Sequence, residues 1–315
     1  PARPVAGVQL LQLETAVAAS VTQWHSRAMK VIDVAEFYAE QGGGVKTYIN
    51  QKLEAGSRLG HEVVVIAPGP EDREEERLGG RIVWVKGPPL PPDPRYYVLY
   101  REKAVHAILD AERPDVVEGS SPWSGGWFAA RWKGPAVKTF IFHQDPVAVY
   151  PQTLLGNTLG TDNVDRLFGW YWAYLRRLSG HFDATVVSGL WLAEKLKRFR
   201  LQRPEPVPFG IDKSQFSPTR RSDAIKRSLL ERAGVSPDAS LLICVSRFHP
   251  EKRLPTLLKG FDVARRSKEM ALVIYGDGPL RKRVNALADK IPGVLVAGFT
   301  KDRDELADVM ASGDA

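Results

Sequence analysis

From Lys30 onward, short apolar runs alternate with longer segments whose apolar residues recur at helical spacing. Val31-Ile32-Asp33-Val34-Ala35 is a β-type run that leads to Gly42-Gly43-Gly44. Val45, Tyr48, Ile49 and Leu53 then share one helical face, which predicts a helix over 45–59 with Gly60 as its stop. Strands are expected at 63–67, 82–85, 115–117, 136–142 and 184–187, and helices at 100–112, 125–132, 162–182 and 190–199. This alternation is the signature of a parallel sheet covered on both faces, an α/β fold.

A stretch containing Pro204, Pro206, Pro208 and Pro218 reads as a linker, followed by a basic segment at 220–232. The alternation then restarts, with strands at 241–245, 271–275 and 294–297 and helices at 254–266, 280–290 and 304–311. These three strand–helix pairs make a second unit of the same kind. Open doubly wound domains have about five or six strands, so this second domain is expected to be incomplete. The expected organisation is an extension over 1–28, a first domain over 29–205 and a partial second domain over 206–315. In the extension, the apolar stretch from Val8 to Val21 is interrupted by Gln9, Gln12, Glu14 and Thr15. It reads as a disordered segment ahead of a natural start at Met29 rather than as a secretion signal.

Composition narrows the class. A length of 315 residues fits about two domains, and 43% hydrophobic with 26% charged residues excludes disorder and fibrous repeats. No apolar run reaches the ~18 residues of a membrane span. The single Cys244 excludes a disulfide framework and fits a reducing, cytoplasmic compartment. Residues 1–150 carry 17 Lys/Arg against 18 Asp/Glu, whereas residues 151–315 carry 27 against 19. The excess positive charge of the second half points to an anionic ligand, nucleic acid or an acidic membrane surface. The charges at 195–203 and 220–232 are interleaved with Leu192, Leu196, Phe199, Ile225 and Leu229. They read as solvated helix faces, so nucleic acid is not expected as a partner.

Several motifs sit where strands end. The triple glycine permits close backbone approach at a helix N-terminus and equally fits a plain tight turn. It satisfies neither GxGxxG nor GxxxxGK[ST], which disfavours an NAD-dependent oxidoreductase. In Val245-Ser246-Arg247-Phe248-His249-Pro250-Glu251-Lys252-Arg253, a cationic cluster begins directly after a strand, where α/β sheets bind ligands. Arg247 and Lys252 suit a diphosphate that gains charge as it leaves. Tyr275-Gly276-Asp277-Gly278-Pro279 follows the next strand, and its glycines allow close backbone approach. His143 and Asp145 end the strand at 136–142, where a histidine can hydrogen-bond a hydroxyl or phosphate. Asp302-Arg303-Asp304 has the form of a metal-binding DxD but stands where aspartate caps a helix, so no metal is expected. The aromatic run from Leu167 to Arg177 reads mainly as core, with a membrane interface as the alternative.

In order and spacing these motifs resemble the retaining family-4 glycosyltransferases of the GT-B fold, from about Met29 onward. The resemblance rests on Tyr38 to Tyr48 around the glycines and on Phe209-Gly210-Ile211-Asp212 with Phe216 and Pro218. It rests most on the series Val245-Ser246-Arg247, Glu251-Lys252-Arg253, Ile274 to Pro279, Gly298-Phe299 and Glu305-Leu306. It implies two Rossmann-like domains facing across a cleft, a nucleotide-diphosphate sugar donor, and a glycan or lipid acceptor. It also implies hexosyl transfer with retention, without a metal or cofactor. The expected location is cytoplasmic, where the basic second half and the aromatic helix permit, and do not require, peripheral contact with the inner face of the membrane. By resemblance, Arg247 and Lys252 neutralise the donor diphosphate, and His143 contacts the donor sugar. Gly43, Gly44, Asp145, Gly276, Gly278 and Phe299 would line the substrates. The family's paired glutamates would lie beyond Ala315, so a non-catalytic sugar-nucleotide binding fragment and an epimerase of the same fold stand as alternatives.

Overall fold

The computed structural model describes residues 27–40, 43–91, 93–208 and 210–315. Residues 1–26 of the expected extension, and Gly42 and Phe209 of the motifs, lie outside the described residues. The described chain divides into two compact units. One holds residues 27–145 and 166–208, the other Pro146–Asp165 and Gly210–Ala315.

The first unit is built on one sheet. In chain order it contains β1 (Lys30–Val34), α1 (Gly44–Arg58), β2 (Glu62–Gly69), β3 (Arg73–Arg77), β4 (Gly80–Lys86), the hairpin strands β5 (Pro89–Leu90) and β6 (Asp93–Tyr97), and α2 (Glu102–Glu112). It continues with β7 (Val116–Gly119), α3 (Ser124–Arg131) and β8 (Val137–Phe142). The chain then passes through short helices, α4 (Pro146–Val149), α5 (Pro151–Leu159) and α6 (Thr161–Leu167), whose residues up to Asp165 belong to the second unit, and the first unit resumes with α7 (Gly169–Ser179), β9 (Ala184–Val187), α8 (Leu190–Arg198) and β10 (Pro204–Pro206). The strand order is β10-β9-β8-β7-β1-β2-β4-β3, parallel except where β3 joins β4. From β4 to β9 this is the Rossmann order, with its reversal between β1 and β7. Val63 to Gly69 of β2 are all buried because helices and hairpin cover both faces. On one face, Ile49 and Leu53 of α1 pack on Val63, Val65, Ile82 and Trp84.

The second unit contains α9 (Asp223–Arg232), β11 (Ser240–Val245), α10 (Leu254–Ala264), β12 (Met270–Tyr275), α11 (Arg281–Ala288), β13 (Val294–Gly298) and α12 (Arg303–Ser312). Its strands form the parallel sheet β11-β12-β13. Residues alternate across β12. Ala271, Val273 and Tyr275 face a cluster with Leu229, Leu230 and Val309, and Leu272 and Ile274 face one with Leu254, Leu258, Phe261 and Val284. That two-sided burial is why the sequence shows unbroken apolar runs here.

Two local expectations are corrected and one element is added. The stretch at 162–182 is two helices, broken at Phe168 with φ −91° and ψ 22°. Gly169, which follows, makes helix continuation costly. The break turns Tyr171, Trp172, Leu175 and Leu178 into the core and leaves Leu167 and Trp170 exposed. The aromatic run is therefore part core and part surface. Second, residues 73–77, all charged, form an edge strand in which Arg73 and Arg77 both reach Glu75. Third, part of the proline-rich linker is β10, an edge strand, where proline's missing N–H is tolerated.

Candidate functional site

In the second unit, two strand-end loops are locked backbone to backbone. The amide of Ser246 donates to the Tyr275 carbonyl at 2.9 Å, and that of Phe248 to the Asp277 carbonyl at 2.9 Å. The amide of Leu280 donates to the Phe248 carbonyl at 3.0 Å, and that of Gly276 to the Gly298 carbonyl at 2.7 Å. Gly276 (φ +146°) and Gly278 (φ +155°) are required by this packing. A Cβ at 276 would lie 1.8 Å from the Ser246 carbonyl oxygen, and one at 278 would lie 2.7 Å from that of Phe248. What approaches these glycines closely is thus the neighbouring loop. Phe248, inside the cationic cluster, is fully buried and anchors the loop in the core.

Around that anchor the charges face outward. Arg247 and Lys252 are both exposed. Lys252 approaches Glu251 only at 3.8 Å, and among the described residues Arg247 has no ion-pair partner. Other cations of the unit differ: Arg220 pairs with Asp304 and Asp308, and Arg221 and Lys226 pair with Asp314. These bridges occupy part of the basic segment at 220–232. Phe299 follows Gly298 on the same side and is 65% exposed. Asp302 caps α12, accepting from the amides of Asp304 at 2.9 Å and Glu305 at 3.2 Å.

In the first unit, the candidate side chains stand near the carboxyl ends of β1, β7 and β8. Gly43 precedes α1 and Gly44 opens it. No side chain caps the helix, and a Cβ on either glycine would meet nothing within 4 Å. Packing therefore does not explain these two glycines, in contrast to Gly276 and Gly278. Glu36, 8% exposed, accepts from Ser124 Oγ at 2.5 Å, from the Gly125 amide at 3.1 Å and from Ser121 Oγ, tying the loop after β1 to the start of α3.

His143 stands just past β8, with its ring edge-on to Tyr48 at a 5.1 Å centroid distance. Burial lowers its pKa to about 4, Asp33 opposing and Lys52 adding to the shift, so the imidazole is neutral at physiological pH. Beneath it Lys52 bridges Asp33, at 2.5 Å, and Glu118. Burial disfavours the Lys52 charge, yet the two carboxylates hold its pKa above the ordinary lysine range. Burial raises the Glu118 carboxyl, and it pushes the Tyr48 phenol up to about 12. Asp145 forms a 2.5 Å ion pair with Lys195, both almost fully buried, and Trp172 packs beside the ammonium with 5.0 Å between nitrogen and ring centre. Sequence reasoning missed Glu36, Lys52 and Lys195. For Lys52 the available signal was the charge of its partners inside apolar strands, Asp33 in β1 and Glu118 in β7.

Two Rossmann-like units in one chain place the protein in the GT-B class, and solved structures agree on the fold. A glycosyltransferase from Rickettsia africae ESF-5 aligns over 91% of this chain and 72% of its own, with TM-score 0.59 and 14% identity. The catalytic domain of starch synthase IV from Arabidopsis thaliana aligns over 91% and 77%, with TM-score 0.60 and 13% identity. Residues 42–215, more than half of the chain, match the model of Glycosyltransferase Family 4. A GDP-mannose-dependent alpha-mannosyltransferase of Mycobacterium tuberculosis (strain CDC 1551 / Oshkosh) is 31% identical over 296 residues, covering 91% of this chain and 71% of that protein. A GDP-mannose-dependent alpha-(1-6)-phosphatidylinositol dimannoside mannosyltransferase of Mycobacterium tuberculosis (strain ATCC 25177 / H37Ra) is 25% identical over 288 residues, covering 91% and 72%. The chain belongs to glycosyltransferase family 4.

Proposed function

We propose that the protein transfers a mannosyl group from GDP-mannose to a hydroxyl of a glycan or glycolipid acceptor, with retention at the anomeric carbon and without a metal ion. The observation that carries the reading is the exposed Arg247, without a carboxylate partner among the described residues, on a loop fixed by Phe248 and by backbone bonds to the Asp277 loop. As the bond from C1 to the diphosphate oxygen breaks, negative charge grows on the departing GDP. A preorganised guanidinium and the ammonium of Lys252 stabilise that charge in place of a metal. The acceptor oxygen bonds to C1, and its proton leaves to the diphosphate. The names of the relatives support GDP-mannose as donor, and one of them supports a mannosylated lipid as acceptor.

In this reading the donor domain is 206–315 and the acceptor-side domain is 29–205. Gly43, Gly44 and neutral His143 serve as ligand contacts of the first domain; Gly276, Gly278 and Phe299 shape the second. Asp145, paired to Lys195, holds the strand end that carries His143. Among the described residues no helix is long and apolar enough to cross a membrane. Exposed Leu167 and Trp170, in the same stretch of chain as exposed Arg176 and Arg177, support peripheral contact with a membrane face.

The test is thermal stability with GDP and with GDP-mannose. At a hundredfold excess over Kd, GDP should add about 2.7 kcal/mol to the wild type, and Arg247→Ala should lose that gain. Equal stabilisation of both proteins refutes the assignment. Turnover of GDP-mannose to free sugar with every acceptor absent would favour the epimerase alternative.

A further inference from the structure

We infer that Lys52 is a positioning residue of the first unit: through Tyr48 it fixes where the His143 imidazole stands and what that ring can offer to a sugar hydroxyl. Its part in the reaction rests on the transferase reading above; its hold on His143 does not. The arrangement begins with two carboxylates in register. Asp33 of β1 and Glu118 of β7 face each other across neighbouring parallel strands. They stand at the reversal of strand order, where open α/β sheets bind ligands. Side by side in an otherwise apolar sheet, two such charges repel. Asp33 is fully buried, and its Oδ1 has no hydrogen-bond partner among the described residues. Lys52 answers both charges from α1, reaching Asp33 at 2.5 Å and Glu118 as well. Among the described residues no other cation pairs with either.

The consequence reaches His143 along α1. Tyr48 precedes Lys52 by about one helical turn, so the two side chains share a face, with Tyr48 nearer the glycine-opened N-terminus. The ammonium stands 4.7 Å from the centre of the Tyr48 ring, and that ring meets the His143 imidazole edge-on with centroids 5.1 Å apart. Elements distant in sequence (β1, α1, β7 and the end of β8) thus join Asp33, Lys52, Tyr48, Glu118 and His143 in one chain of contacts. Charge acts along the same path. Burial keeps a proton off His143, Lys52 adds to that effect, and Asp33 opposes it. With the ammonium gone, the carboxylate charge left behind would draw a proton onto the imidazole. A neutral imidazole keeps one nitrogen as an acceptor, whereas an imidazolium has only donors. A hydroxyl that donates to His143 would then lose its partner.

The experiment follows the His143 Cε1 resonance by NMR in the full chain carrying carbon-13 histidine, assigned by its loss in His143→Gln, from about pH 5 to 8. In the wild type it should stay flat. In Lys52→Met the titration midpoint should rise by about 1–3 pH units, which brings it into that window. Lys52→Arg, which keeps the charge, should restore the flat response. Where Lys52→Met does not fold, Lys52→Met combined with Glu118→Gln removes one charge of each sign and leaves Asp33 facing the imidazole, so the same rise is expected. Relative to wild type, kcat of the variant without the ammonium should fall about tenfold between about pH 8 and 6, while KM for GDP-mannose holds. A residue that only stabilises the fold would lower Tm and leave the midpoint where it was. A midpoint unmoved in folded Lys52→Met or its double variant, or raised equally by Lys52→Arg, overturns the inference. A midpoint that moves as expected in a protein whose wild type never turns over GDP-mannose supports the hold on His143 and counts against the transferase reading alone.

Discussion

Adding one methyl group at Gly276 and at Gly44 should separate two uses of glycine. At Gly276 the backbone has φ +146°, and the new Cβ would sit 1.8 Å from the Ser246 carbonyl oxygen. That oxygen belongs to a loop held by the bonds from Ser246 to Tyr275 and from Phe248 to Asp277, so it has no easy direction of retreat. Backbone strain of about 1–3 kcal/mol adds to overpacking of about 1–3 kcal/mol. The sum, roughly 2–6 kcal/mol, is a large share of a total stability of about 5–15 kcal/mol. Thermal unfolding followed by circular dichroism should show Tm falling by roughly 10–20 °C. Gly44 opens α1 in helical geometry with nothing within 4 Å of a Cβ. There alanine should stabilise slightly, by about 0.4–1 kcal/mol, through the unfolded chain. The same methyl would intrude where the proposal puts a ligand, and kcat/KM should fall by about 10–100-fold. A Gly276→Ala protein as stable as wild type would refute the packing argument. A Gly44→Ala protein of full activity would remove Gly44 from the site.

Two further outcomes follow from buried charge. His143 has a folded pKa near 4 against an ordinary 6.5, so the unfolded chain binds the extra proton first and stability falls as pH drops from about 6.5 towards 4. His143→Gln should flatten that part of the stability–pH curve, measured by urea unfolding, and an unchanged slope would show that another group is responsible. Lys195→Met removes the ammonium paired with the buried Asp145 carboxylate and should cost about 3–5 kcal/mol, most of it recovered by adding Asp145→Leu. Additive losses in that double-mutant cycle would deny the coupling.

Much of this architecture was legible because burial on two faces writes continuous apolar runs into strands such as Val63 to Ala67, and helical spacing into α1. What escaped has physical causes. The strand at 73–77 has no apolar face, because an edge strand bearing only charges is held by backbone pairing and by Arg73, Glu75 and Arg77 among themselves. Pro204 and Pro206 argue against a strand locally, yet the sheet edge accepts them. Ion partners were illegible because sequence distance hides them: Lys52 lies 66 residues from Glu118, and Lys195 lies 50 from Asp145. The cationic loop was visible as a cluster, but the pattern did not reveal that Phe248 within it is core.

The ligand edges of the two units also treat charge differently, and this bears on the proposed division of chemical labour. Along the ligand edge of the first unit, charge is largely spent within the fold: Lys52 on Asp33 and Glu118, Lys195 on Asp145, Arg73 on Glu40 and Glu75. A cation already facing a carboxylate gives little to a developing anion, since the partner's field cancels its own beyond a few ångströms. Such an edge is suited to neutral hydroxyls, which need donors and acceptors rather than net charge. In the second unit Arg247 stands after β11 without a carboxylate partner among the described residues, while Arg220, Arg221 and Lys226 of the same unit are all paired. Leaving a guanidinium uncompensated gains the fold nothing, but in the proposed reaction it would let the full charge act on the leaving diphosphate. On this argument, placing a carboxylate beside Arg247 should harm catalysis more than it harms folding. Ser246→Asp, at a half-buried position in the same loop, should keep the Tm within a few degrees while GDP affinity falls by at least tenfold, and unchanged GDP affinity would refute the division.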